Sequence, residues 1–307
     1  MKISVVLCTY NNAESLKETL KDIRRNVCDS ANVELLVVDN NSTDHSKQVI
    51  TEQLEAFPFP AEYLFEPTQG LSHARNTGLN NARGEYILFT DDDAAIPTNW
   101  VAEYLKVIKQ EQPDCLFSKI AILWDKPKPD WFINAYLPYF VHLDYGERSL
   151  TISDKEHEFF GKNFCVRTLL FKNMGGFNPK LGRCGTKLVA GEETAIYKYL
   201  ISARKKVIYF PDAQVGHRLK DREYELTNMI KMYTDSAYTT FTLSKMYSTK
   251  KIFGRPFYPL KSAIVGLSTS ALKLVKESLL RQKNERLYAQ MLVQRNVKLL
   301  GLWITNP

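Results

Sequence analysis

Short apolar runs alternate with amphipathic stretches along the first third of this chain, and each apolar run ends abruptly in a polar cluster. Residues 3–8 are mostly apolar and stop at Thr9-Tyr10-Asn11-Asn12. Leu16, Leu20, Ile23 and Val27 then recur near helical spacing, which predicts an amphipathic helix. Residues 33–38 form a second run that stops at Asp39-Asn40-Asn41-Ser42, where Asn41 or Ser42 is placed to cap a helix carrying Val49, Ile50 and Leu54. A third short run at 62–65 and a helix-compatible stretch at 70–83 lead to a fourth run, 86–90, which ends at Asp91-Asp92-Asp93. Strands alternating with helices predict a mainly parallel sheet flanked by helices, a Rossmann-like α/β arrangement. Such sheets bind ligands beyond the carboxyl ends of their strands. The three polar clusters therefore converge on one rim.

The second half is less regular. Residues 115–123 and 159–166 read as strands, and 124–145, rich in aromatics and proline, as a loop region. The Gly-rich stretch 182–191 reads as a mobile loop, followed by a helix over 192–202 and a strand over 206–210. Beyond His217 the pattern is helical, over about 221–246, 260–277 and 279–299. The expected organisation is an α/β domain over 1–220 and a helical C-terminal extension over 221–307. The opening apolar run is too short for a signal peptide. No run approaches the roughly 18 apolar residues of a membrane span.

Composition changes this picture in one respect. The length of 307 residues suits one large α/β domain plus an appendage. The net charge of +7, however, is unevenly placed. Residues 245–307 hold 12 Lys/Arg against 2 Asp/Glu, whereas the rest of the chain holds 29 against 32. A basic tail suits an anionic partner such as lipid headgroups, a phosphate-bearing acceptor or nucleic acid, or else a solvated helical face. The five scattered cysteines, Cys8, Cys28, Cys115, Cys165 and Cys184, form no CxxC pair and read as reduced thiols of a cytosolic protein.

Candidate chemistry clusters at the strand ends. The adjacent carboxylates of Asp91, Asp92 and Asp93 repel one another, and a divalent cation is the usual compensation. In an extended segment residues i and i+2 share a face, so Asp91 and Asp93 can address one ion while Asp92 points elsewhere. Oxygen ligands suit Mg2+ or Mn2+ bound together with a diphosphate. The bland alternative is a solvated acidic turn capping the helix after Pro97. Asp39 can accept hydrogen bonds from a ribose or base edge, or close an Asx-turn. Arg75, in the segment that begins at Gly70, can meet a phosphate or base, or form an ordinary salt bridge. Glu192-Glu193 opens a helix, where either acid can be a first-turn residue or a general base for an acceptor hydroxyl. His217 is a structural histidine or a metal or phosphate ligand. No GxGxxG follows the first strand, and no GxxxxGK[ST] or GxSxG occurs, which disfavours dinucleotide dehydrogenases, P-loop nucleotidases and serine hydrolases.

These segments, taken in order, resemble the family 2 inverting glycosyltransferases of the GT-A fold over about residues 1–220. Residues 4–12 are similar to the family's opening strand and nucleotide loop, Val37-Val38-Asp39-Asn40-Asn41-Ser42-Thr43-Asp44 to its second-strand motif, and Phe89-Thr90-Asp91-Asp92-Asp93 to its DxD motif. Gly70-Leu71-Ser72-His73-Ala74-Arg75-Asn76 resembles the stretch before the DxD strand. Gly161-Lys162-Asn163-Phe164-Cys165-Val166 and Gly175-Gly176-Phe177-Asn178 resemble the acceptor-side segment. Gly191-Glu192-Glu193 stands where the family usually has Gly-Glu-Asp, and residues 211–217 resemble the closing segment with its His. The resemblance implies that Thr9, Tyr10, Asn11, Asp39, Asn41, Gly70, Arg75, Asp91 and Asp92 bind a nucleotide-diphosphate sugar, expected to be UDP-linked. It implies that Asp91, Asp93 and His217 hold Mn2+ or Mg2+, and that Glu193, with Glu192 beside it, acts as base in a single inverting displacement. Glu in place of Asp at 193 lengthens the reach of that base. The acceptor is then expected to be a glycan or lipid-linked hydroxyl in bacterial surface polysaccharide synthesis. The protein is expected in the cytoplasm or at the cytoplasmic membrane face, touching lipid through its basic tail, with no nucleic-acid partner. The competing readings are a nucleotide-sugar pyrophosphorylase or other nucleotidyltransferase, against which the absence of a Gly-rich basic loop after the first strand speaks, and a catalytically decayed GT-A binding protein.

Overall fold

The computed structural model describes residues 2–26, 30–183 and 190–306. Val27, Cys28, Cys184 and most of the Gly-rich 182–191 stretch lie outside the described residues. Strands and helices alternate as β1 (Ile3–Thr9), α1 (Ala13–Arg24), β2 (Val33–Asp39), α2 (Ser46–Leu54), β3 (Ala61–Phe65), α3 (Leu71–Asn81) and β4 (Tyr86–Asp91). The two inner strands β1 and β2 are buried along their whole length, which is why they read as continuous apolar runs rather than alternating ones. The face of α1 carrying Leu16, Leu20 and Ile23 is fully buried in the core of this layer. Helix α3 packs directly on the sheet: a side chain at Gly78 would put its Cβ 2.4 Å from Val6 Cγ1. Helix α2 begins at Ser46, not at Asn41 or Ser42, because Ser42 instead accepts from the loop after β1 and the Asn41 amide donates to the Pro67 carbonyl.

A less regular half follows: β5 (Ala94–Ala95), α4 (Trp100–Glu111), β6 (Cys115–Phe117), β7 (Ile120–Leu123), β8 (Leu150–Ile152), β9 (Phe164–Arg167), α5 (Thr168–Asn173), α6 (Glu192–Ser202), β10 (Val207–Tyr209) and β11 (Val215–Arg218). The main sheet has the order β3-β2-β1-β4-β9-β6-β10-β8, with β5-β11-β7 as a separate small sheet. The pairs β1–β2, β1–β4, β2–β3 and β6–β10 are parallel. Residues 115–123 are thus two strands in two sheets, because the chain turns at Ser118-Lys119, where Asn163 holds the backbone. The strand expected over 159–166 is ordered as β9 only from Phe164, because Lys162 and Asn163 turn their polar side chains inward. The thiols of Cys8, Cys115 and Cys165 are free and buried.

Register explains why the polar clusters meet. Thr9 pairs with Asp39, and Cys8 with Asp91, so the ends of β1, β2 and β4 lie level. The chain leaves β1 towards β2 and β3, then returns to place β4 on its other side. That reversal opens the crevice in which parallel sheets take ligands.

The chain forms two compact units. One comprises the described residues up to Asp125, with 141–183 and Glu192–Leu219. The other comprises Lys126–Phe140, 190–191 and Lys220 onward. In the second, α7 (Leu226–Tyr247), the small hairpin β12 (Lys251–Ile252) and β13 (Arg255–Pro256), α8 (Phe257–Leu279) and α9 (Lys283–Thr305) build a helical body around Ala237, Phe241, Ala263, Leu299 and Trp303. Lys126–Phe140 joins this body: Tyr136, in a 3-10 turn, stacks edge-on against Tyr288. No helix among the described residues is long and apolar enough to cross a membrane.

One buried amide joins the irregular half of the first unit. Asn163 accepts from Trp100 Nε1 and Tyr104 Oη at 2.9 Å each, and donates to the carbonyls of Lys119 at 2.9 Å and Ala213 at 2.8 Å. Asn163→Ala removes all four bonds, although Tyr104 Oη keeps the backbone carbonyl of residue 163 and the Lys119 carbonyl keeps the Val215 N–H, so urea denaturation is expected to show a loss of about 2–3 kcal/mol. A loss under about 1 kcal/mol would mean that water replaces the amide.

Candidate active site

At the rim, the loops after β1 and β2 are tied to each other. Asn11 and Asn41 both adopt positive φ, a conformation that asparagine tolerates. Asn11 Oδ1 accepts from the backbone N–H of Thr43 at 2.7 Å, and the Asn11 N–H donates to Ser42 Oγ at 3.1 Å. The Asp39 carboxylate, buried at the end of β2, accepts from the Ser42 N–H at 2.9 Å and the Tyr63 hydroxyl at 3.2 Å. The Asn40 side chain accepts from the Gly70 N–H at 2.8 Å and so fixes the start of α3. Thr9, Asn11, Asp39, Asn41 and Gly70 therefore meet at one end of the sheet, with Tyr10 exposed beside them.

Asp92 turns away from its neighbours. Its carboxylate accepts from Thr9 Oγ1 at 2.7 Å and Asn12 Nδ2 at 2.6 Å, and its carbonyl from Thr19 Oγ1 at 3.0 Å. These bonds clamp the end of β4 to β1 and α1. They leave Asp91 and Asp93 with other partners, although Asp92 and Asp93 lie in the turn just after β4 and not in extended backbone.

Arg75 is the centre of the cluster. Its guanidinium is only 2% exposed, yet it reaches Glu193 Oε1 at 2.9 Å, Asp91 Oδ1 at 3.1 Å and Glu192 Oε1 at 3.3 Å. Burial alone would weaken its charge, but Glu193, Asp91 and Glu192 together hold it firmly protonated. The guanidinium therefore faces carboxylates, not open rim. Gly161 makes this approach possible: a Cβ there would lie 2.0 Å from Arg75 Nη2 and 2.4 Å from Glu193 Oε1. Its N–H instead donates to Glu193 Oε1 at 3.1 Å.

The two glutamates differ. Glu193 is 16% exposed, whereas Glu192 is 3% exposed. Glu192 Oε2 has no hydrogen-bond partner among the described residues. Burial, reinforced by the charge of Glu193, pushes the Glu192 carboxyl up to about 8.

Lys162 is the residue that sequence reasoning passed over. Its side chain is 2% exposed, and its ammonium pairs with Asp93 Oδ1 and lies 3.6 Å from Asp91 Oδ2. Burial presses the ammonium towards neutrality, but Asp93 and Asp91 outweigh it and lift the pKa. The same two cations, Lys162 ahead of Arg75, hold Asp91 ionised against its burial. The available signal was a lysine inside the apolar stretch 159–166, where nothing but a buried anion would keep it.

His217, in β11, reaches the same acid from the other side, with Nε2 3.7 Å from Asp93 Oδ2. Asp91, Asp93 and His217 do not form a ready three-ligand cage, and no group of three or more His, Cys, Asp or Glu suited to a metal occurs among the described residues. The physical reason is Lys162, whose ammonium bridges the two carboxylates. The pairing of Asp93 Oδ2 with His217 Nε2 nevertheless has the hard O/N chemistry of a divalent site. Its span is one that two ligands at about 2.1 Å cover around one ion.

The profile of glycosyl transferase family 2 matches residues 4–175. The chain is similar to the glucosyl-dolichyl phosphate glucuronosyltransferase of Haloferax volcanii, 25% identical over 227 residues, covering 71% of this chain and 70% of the relative. It is likewise similar to the succinoglycan biosynthesis protein ExoM of Rhizobium meliloti, 26% identical over 240 residues, covering 75% and 71%. Among solved structures, the mannosyltransferase PcManGT from Pyrobaculum calidifontis in complex with GDP-Man and Mn2+ superposes with a TM-score of 0.65 at 18% identity, over 99% of this chain and 87% of that one. That likeness establishes the fold, the GT-A arrangement of a mainly parallel sheet with flanking helices.

The pKa of Glu192 carries a stability consequence. An acid that holds its proton more tightly when folded loses stability as pH rises from its unfolded value of 4.5 towards about 8, and loses none below that window. Glu192→Gln is therefore expected to raise Tm relative to the unsubstituted protein above about pH 8, with the gain shrinking as pH falls towards about 5. A calorimetric Tm difference that does not change with pH would contradict this assignment.

Proposed function

The chain belongs to glycosyl transferase family 2, and from that premise we propose that it transfers a sugar from a nucleoside-diphosphate donor to an acceptor hydroxyl with inversion at C1. The observation that carries this reading is the ion cluster at the rim of β1, β2 and β4, where Arg75 gathers Asp91, Glu192 and Glu193. Its position beside the Asn11–Asp39 loop pair gives a nucleoside and a reacting centre adjoining seats. The relatives in glycolipid and polysaccharide synthesis support the same class of acceptor.

In this reading Asp39 and the Asn11–Thr43 contacts receive the nucleoside. Glu193, the more exposed acid of the pair, takes the acceptor's proton as the acceptor oxygen bonds to C1 and the bond from C1 to the diphosphate breaks. Arg75 and the Gly161 N–H orient Glu193 Oε1, so in this reading Arg75 acts as a positioning residue. Glu192 keeps its proton near neutrality and so spares the pocket a second negative charge beside Glu193. Asp93 and His217 are the residues that would hold a divalent ion, which would supply charge neutralisation to the departing diphosphate.

The basic C-terminal segment suits an anionic lipid surface. Along α8, Tyr258, Ile264, Val265, Leu272, Val275 and Leu279 are exposed at helical spacing, with Lys261 and Lys276 among them. An exposed apolar stripe flanked by lysines matches a helix lying in a headgroup layer. It would bring a lipid-linked acceptor to the enzyme.

Asp93→Ala is expected to lower turnover of a UDP- or GDP-sugar by about a hundredfold or more. Undiminished turnover in that variant would remove Asp93 from the site. Glu193→Gln is expected to lower transfer by about 10²–10⁴-fold while calorimetry shows unchanged nucleotide binding. The same split in Glu192→Gln instead would move the base to Glu192. For the lipid contact, co-sedimentation with anionic vesicles is expected to fall with salt and to be lost in Leu272→Glu/Leu279→Glu. Equal binding to neutral vesicles, or no effect of the pair, would refute it.

A further inference from the structure

The buried ammonium of Lys162 sits where two acidic side chains of a diphosphate site would otherwise face each other. We propose that Lys162 is a resident cation of the Asp91–Asp93 pair, competing with a divalent ion in the free protein and passing to a diphosphate oxygen when nucleotide binds. The inference rests on the transferase reading for its second half only. The first half needs nothing beyond the contacts themselves.

Three observations carry it. Lys162 Nζ bridges carboxylates two residues apart, pairing with Asp93 Oδ1 while lying 3.6 Å from Asp91 Oδ2. A lysine is a compact charge on a flexible stem, so the same ammonium can move between partners without refolding the chain. Asp91 is already paired with Arg75 through its other oxygen, at 3.1 Å. Asp91 thus serves two cations, and Asp93 offers a divalent ion only the oxygen that faces His217, at 3.7 Å. An ion approaching this pair meets carboxylates that are already compensated, and it must displace the ammonium or share Asp93 with it. A purely structural lysine would give stability alone. A competing cation gives stability that an ion can replace.

The difference is measurable in protein without nucleotide. Mn2+ binding, read from the free-ion electron paramagnetic resonance signal, is expected to be weak in the unsubstituted protein and about tenfold or more tighter in Lys162→Met. Lys162→Met is expected to melt lower than the unsubstituted protein, with Mn2+ restoring much of the lost Tm while shifting the unsubstituted protein little. Lys162→Arg, which keeps the charge, should show no gain in Mn2+ affinity. Should Lys162→Met fail to fold, Lys162→Gln carries the same test. Unchanged or weaker Mn2+ binding, or a lower Tm that Mn2+ does not rescue, overturns the proposal and leaves Lys162 a structural ion pair.

The second half predicts the opposite sign for nucleotide. With Mn2+ saturating, Lys162→Met should bind UDP or GDP about tenfold more weakly, and equal affinity would overturn the transfer of the ammonium. If neither nucleotide binds the unsubstituted protein, the transferase reading fails, while the Mn2+ arm still decides whether Lys162 competes for the pair.

Discussion

A buried guanidinium with three carboxylates around it is the constraint on which the site depends. Moving Arg75 out of water is costly, and no single acid repays it. Asp91 comes from the end of a central strand, while Glu192 and Glu193 come from the start of α6, over a hundred residues later. The arginine therefore ties the alternating half of the sheet to the irregular half, in the place where chemistry is to happen. The close approach of Gly161 belongs to the same arrangement, since any side chain there would push the guanidinium away from Glu193.

Charge balance follows from that centre. Arg75 and Lys162 face Asp91, Asp93 and Glu193, and the raised pKa of Glu192 keeps a fourth full negative charge out of the buried cluster at neutral pH. The cluster is thereby close to neutral without being inert. Clusters of this kind, with titratable groups pushed apart by their surroundings, are typical of sites that handle protons and phosphates.

Much of the first ninety residues was legible in the chain itself, because β1, β2 and β4 are buried on both faces and stop where polarity begins. The separation of Asp92 from Asp91 and Asp93 reads from the chain as alternation in an extended segment, whereas Asp92 and Asp93 lie in the turn just after β4 and the bonds from Thr9 and Asn12 draw Asp92 away. The irregular half was less legible. The run 115–123 reads as one strand, yet its two parts belong to different sheets, because the turn at Ser118-Lys119 is imposed by Asn163 from 44 positions away. Lys126–Phe140 reads as a loop region, yet it packs with helices that follow Lys220, and only aromatic contacts made at long range place it there.

By itself the sequence determined the mainly parallel sheet, the polar clusters at its carboxyl rim and the pair of glutamates at a helix start. Each is a local matter: periodicity, the length of an apolar run, the residue type where it stops. Tertiary structure alone decided that Arg75 turns to carboxylates, that Glu192 is the buried acid and Glu193 the accessible one, and that Lys162 stands between Asp91 and Asp93. Those outcomes are energies of desolvation and of charge at a few ångströms. They depend on which distant groups are brought together, and spacing along a chain carries no record of that.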